Sequence, residues 1–152
     1  MRFMPLLVIL RFLVIAPAFA GASTVFESVT LDGRPAENSG RASISADGRF
    51  IAFQSSDAAV VPDDANETAD IFVRDRSTCL TARASVSSNG EEGNDNSFAP
   101  LIASGGRFVT FVSFASNLVA GDTNQQRDIF IHDLVSRLTE RVSVGENDAQ
   151  SE

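Results

Sequence analysis

Beyond the first twenty residues, the apolar side chains come in short runs rich in Val, Ile and Phe, each bounded by Gly, Asn, Asp or Ser. Runs of this composition predict strands, and no helical period follows the leader. The runs recur. Gly48-Arg49-Phe50-Ile51-Ala52-Phe53 returns 58 residues later as Gly106-Arg107-Phe108-Val109-Thr110-Phe111, and Asp70-Ile71-Phe72-Val73 returns as Asp128-Ile129-Phe130-Ile131. From Ile44 to Asn89, 19 of 46 ungapped positions are identical to those 58 further on, which makes the chain an internal repeat.

Four strands are predicted in each unit. The first holds Ala42–Ser45, Phe50–Ser55, Asp70–Asp75 and Leu80–Val86, and the second holds Ala99–Ala103, Phe108–Ser113, Asp128–Asp133 and Leu138–Val144. Side chains alternate along a strand, so Ile71 and Val73 face one way and Phe72 the other. A sheet apolar on both faces must be sandwiched, and a four-stranded unit repeated at fixed spacing achieves this as a blade packed between neighbours around an axis.

The segments Ser45-Ala46-Asp47-Gly48-Arg49-Phe50-Ile51-Ala52-Phe53 and Asp70-Ile71-Phe72-Val73-Arg74-Asp75 resemble the TolB-type, WD-like β-propeller repeat. The second copy departs at the turn, where Gly105 replaces the Asp. The resemblance implies an exported propeller, often a platform for protein binding and in some relatives a domain guarding a peptidase. It transfers no catalytic residue.

The fold class expected is therefore all-β, with two blades of four antiparallel strands at 42–86 and 99–144 inside a partial propeller spanning 21–152. Thr24 to Val29 is expected to form an extra outer strand, because Ser28-Val29-Thr30-Leu31-Asp32-Gly33 echoes Ser85-Val86-Ser87-Ser88-Asn89-Gly90. Propellers close with about four to eight blades. An incomplete ring is the expectation, belonging to a longer propeller, with a six-blade homotrimer as the rival; either way further blades or self-association are needed to close it.

Charge narrows the partners. The formal charge is −8, and all twelve basic residues are Arg, scattered singly among acids. Phosphate recognition needs clustered cations, which argues against nucleic acid and anionic membrane surfaces. Twelve Phe without Trp or Tyr suggest buried aromatics. Met1 and Arg2, the apolar run Met4 to Leu10 and the small-x-small site Ala18-Phe19-Ala20 predict a secretory signal over residues 1–20, hence a periplasmic or secreted protein. Arg11 interrupts the apolar stretch and argues against a membrane span. The single Cys79 has no internal disulfide partner and is expected to be a buried small hydrophobe.

Candidate chemistry is sparse. Both units carry Asp-x-Asn-x-x-x-Asp between the second and third strands, as Asp64, Asn66 and Asp70 and as Asp122, Asn124 and Asp128. These six are the calcium candidates, although calcium takes six to eight oxygens and no bidentate Glu stands at the usual distance. The reading preferred over calcium is structural: Asn and Asp bond their own turn backbone, and Asp70 and Asp128 fix a turn before a strand. Glu91, Glu92, Asn94 and Asp95 suggest a solvated acidic loop between blades. His132 replaces Arg74 in the repeat and is expected to be a polar strand-end residue. There is no Gly-x-Ser-x-Gly elbow, no second His or Cys at metal spacing and no phosphate loop before a helix. The expectation is a non-catalytic module without a required cofactor, binding a protein or a glycan. A cation-stabilised repeat and the propeller domain of a peptidase-like enzyme are the alternatives.

Overall fold

Each repeat unit folds as one four-stranded antiparallel sheet in a computed structural model that describes residues 25–145. The first sheet contains β1 (Gly40–Ile44), β2 (Phe50–Ser55), β3 (Asp70–Asp75) and β4 (Leu80–Arg83), and the second contains β5 (Ser97–Ile102), β6 (Phe108–Ser113), β7 (Asp128–Asp133) and β8 (Thr139–Arg141). Strand order follows chain order in both, the meander of a propeller blade. The expected two-blade, all-β architecture is what forms.

Register explains the repeated aromatics. Phe53 stands opposite Phe72 and Phe111 opposite Phe130, so each blade carries one cross-strand Phe pair with ring centroids 5.7 and 5.8 Å apart. All four rings are fully buried, each contributing roughly 1.5–3 kcal/mol by transfer from water. The alternation expected for β3 is realised. Ile71 and Val73 join Ala52 and Ala84 against Ile102, Val109, Phe111 and Phe130 of the second blade, whereas Phe72 and Phe53 turn the other way, toward Val60 and Val61.

The blades also meet through backbone. Ser97 N–H donates to the Ala69 carbonyl at 2.7 Å, Ala46 N–H to that of Ser104 at 3.1 Å, and Ile102 N–H to Ser43 Oγ at 3.2 Å. At this seam the β5–β6 turn requires glycine. Gly106 has φ of +72°, and a Cβ there would lie 2.2 Å from the Phe50 ring.

Several expectations need correction. Residues 25–29 form no strand: Val29 makes a single bridge to Pro35, while Thr24 lies outside the described residues. Ladder hydrogen bonds need a paired strand, and among the described residues no strand pairs with this segment. β4 ends at Arg83 and β8 at Arg141, short of Val86 and Val144, because Val86 turns away to bridge Glu92 in the connection between blades. The inner strands start two residues early, at Gly40 and Ser97, each interrupted by a bulge that local periodicity does not reveal. Cys79 is exposed, since it occupies a left-handed turn position (φ of +58°) between β3 and β4. The expected signal at 1–20 falls outside the described residues.

Candidate functional site

The six candidate ligands take their places from the loops that end at β3 and β7. Asn66 and Asn124 cap these loops. Asn66 Oδ1 accepts from Thr68 N–H at 2.8 Å and Asn124 Oδ1 from Gln126 N–H at 3.0 Å, over left-handed Glu67 and Gln125. Their amide groups donate forward, Asn66 to Asp70 at 3.1 Å and Asn124 to Asp128 at 3.3 Å. Asp70 and Asp128 open β3 and β7 fully buried, and each accepts from a serine of the outer segment, Ser85 to Asp70 at 2.5 Å and Ser143 to Asp128.

Three carboxylates converge in the first blade. Oxygens of Asp64, Asp70 and Glu92 lie within 4.8 Å of one another. Their midst holds a cation supplied by the chain itself: the guanidinium of Arg83, whose side chain is 8% exposed, stands 3.5 Å from Asp64, 3.5 Å from Asp70 and in direct ion pairing with Glu92. The second blade repeats the device, with Arg141 Nη1 3.4 Å from Asp122 and 3.7 Å from Asp128. The register of β4 on β3 places Arg83 opposite Phe72, and the planar cation lies over that ring at 5.9 Å. A metal bound by these acids would have to displace a buried arginine, so the donor set fits a guanidinium better than calcium.

The sequence pattern picks out all six acid-and-amide positions, as three repeated pairs, but not the arginines or Glu92 that complete the cluster. Glu92 is drawn out of the acidic loop expected to be solvated: it pairs with Arg83 and its backbone bridges Val86. The available signal was the identity of Arg83 and Arg141 across the repeat.

Burial drives the electrostatics. Desolvation raises the Asp70 carboxyl to about 6, against the bonds from Ser85 and Asn66 and the Arg83 charge that lower it, and desolvation also raises Asp64 and Asp122. At the opposite end of β3 and β7 the direction reverses. Arg49 grips Asp75 through two bonds of 3.0 and 2.7 Å, Arg107 grips Asp133 at 2.9 and 2.6 Å, and both carboxyls are held well below the usual range.

A pH dependence follows. Asp70 titrates higher in the folded chain than in the unfolded one, so its contribution favours folding as pH falls from above 6 toward about 4, by at most ~1.4 kcal/mol per unit. Asp75 and Asp133 act oppositely, their stabilisation being present above about 4 and lost below it. Chemical denaturation should therefore show maximal stability between about pH 4 and 6, and Asp70→Asn should flatten the rise between 7 and 5; an unchanged rise in that variant contradicts the assignment.

His132 is not at the surface. It is buried at the seam between blades, where desolvation lowers its pKa and its Nδ1 lies 2.8 Å from Thr139 Oγ1. The Thr139 hydroxyl donates onward to the Val86 carbonyl at 2.5 Å, which leaves Nδ1–H as the donor to Thr139 and makes the pair a strut between β8 and the end of the first blade.

One polar groove of about 490 Å³ opens where the connection between blades meets the β6–β7 loop, lined by Ser87, Asn89, Glu91, Ser116 and Asn117 among others. No helix of the described residues is long and apolar enough to cross a membrane.

No protein-family model matches the chain, and no curated protein does. Among solved structures the chain is similar to one described as a TolB from Agrobacterium tumefaciens, with 16% identity and a TM-score of 0.50 over 74% of this chain and 32% of that one. It is also similar to TolB from Acinetobacter baumannii (20%, 0.48, covering 77% and 23%) and to the β-propeller domain of the Trilobed protease from Pyrococcus furiosus (21%, 0.45, covering 68% and 28%). The chain thus spans a third or less of the length of these structures. At such identity the likeness to the Agrobacterium protein is one of fold, a TolB-like β-propeller, which agrees with the two meander blades seen here.

Proposed function

We propose that the chain is an exported, non-catalytic propeller module that presents its loops to a protein or glycan partner. The observation carrying this reading is where the repeated polar residues go. Asp70, Asn66, Ser85 and Arg83 are drawn together by hydrogen bonds and ion pairs, as are Arg49 and Asp75, and so are their counterparts in the second blade. These groups hold blades together and leave the inter-blade groove, lined by hydroxyls, amides and the Glu91 carboxylate, as the surface suited to ligand. Such lining matches a neutral or polar partner, and the acidic chain disfavours polyanions.

NMR titration with chitotetraose and with a polar tetrapeptide tests the reading. Shifts should cluster at Ser87, Asn89 and Ser116, vanish in Asn89→Trp, and leave both probes uncleaved. No shift with either probe, or cleavage of one, counts against it.

A further inference from the structure

The repeat sets up a comparison that identifies a docking surface. At three positions the same place in the blade is core in one copy and surface in the other, and at a fourth it is core in one and partly buried in the other. Ile71 is 0% exposed and its counterpart Ile129 is 45%; Ala84 is 0% and Val142 is 48%. In the opposite sense, Ile102 is 8% exposed and its counterpart Ile44 is 57%, while Val109 is buried and Ile51 only partly so. Ile71 and Ala84 are buried because the second blade's Ile102, Val109 and Phe111 pack on them. The outward face of the second blade therefore repeats the first blade's buried face, and the far face of the first blade repeats the one that covers it.

We infer that copies of this chain associate head to tail, the outward face of the second blade of one copy seating on the far face of the first blade of the next. The contact reproduces between chains the packing already present within one, Ile129 and Val142 taking the roles of Ile71 and Ala84, and Ile44 and Ile51 those of Ile102 and Val109. A second copy is the occupant because both complementary halves lie on one chain. Neighbouring apolar groups enlarge the outward face: Leu101 is exposed opposite Thr110, and Phe98 meets Phe114 edge to face.

One element competes for the same place. Residues 25–28 run beside Ile51 and Phe53, and Glu27 pairs with Arg76 at 2.7 Å and with Arg74 at 3.9 Å. By the 57-residue echo Glu27 stands where Ala84 stands against the second blade, so an incoming copy displaces this segment. The inference goes beyond ligand presentation and stands without it.

Sedimentation of the full chain and of two folded variants, Ile129→Glu and Ile44→Glu, tests it, with Leu101→Glu replacing the first if its cooperative melt is lost. Wild type should gain mass with concentration. Each variant alone should associate about 10-fold more weakly or not at all, because a charge then enters an apolar contact. Mixed, the two should form a one-to-one pair that grows no further, since each retains the half the other lacks, and Glu27→Ala should strengthen wild-type association. A wild type monomeric at every concentration overturns the inference. So does a pattern in which Ile44→Glu still dimerises alone and the mixture yields no pair, which marks back-to-back contact through second blades.

Discussion

Arg83→Ala is expected to lose about 3–5 kcal/mol of folding stability, a large part of what a small domain possesses. Arg83 is nine-tenths buried, and removing it leaves Asp64, Asp70 and Glu92 facing one another without their cation. Arg83 Nε and Asp64 Oδ2 make no hydrogen bond, so charge and not directed bonding holds this part of the cluster. The loss should shrink at low pH, where the carboxyls raised by burial take up protons. Urea denaturation at one fixed protein concentration measures it, because association adds to apparent stability. Wild type should show little change in melting temperature with millimolar calcium, the guanidinium already standing among the acids. A cost below about 1 kcal/mol for Arg83→Ala overturns the guanidinium's role in the cluster, and a saturable calcium-dependent rise that disappears in Asp64→Ala and Asp122→Ala establishes a cation site instead.

Adjacent residues of β7 should behave oppositely. Phe130→Ala removes a fully buried ring that stacks on Phe111 and packs into the core between blades, and about 3–5 kcal/mol of stability should go with it. Ile129→Ala, one residue away on the outward face and half exposed, should cost under about 1 kcal/mol in dilute solution. Equal costs would mean that the outward face is already covered in the monomer. The contrast separates the interior of the propeller from its free face.

The sequence by itself determined the elements that depend on short-range pattern. β2, β3, β6 and β7 begin and end where the apolar runs do, because alternation along a strand is local and two copies report it independently. The capping roles of Asn66 and Asn124 were legible for the same reason, an Asx turn being closed by residues two apart. Tertiary structure decided what depends on partners distant in the chain. Residues 25–29 have the composition of a strand and form none, since a ladder needs a neighbour. Asp64, Asp70, Glu92 and Arg83 become one cluster only when β4 pairs with β3 and the inter-blade connection folds back upon it. His132 and Arg74 share a place in the repeat, yet His132 is buried at the seam between blades while Arg74 reaches toward Glu27. Ile71 and Ile129 are the same residue in the same strand position, and only the presence of a second blade on one side makes the first a core residue and the second a surface one.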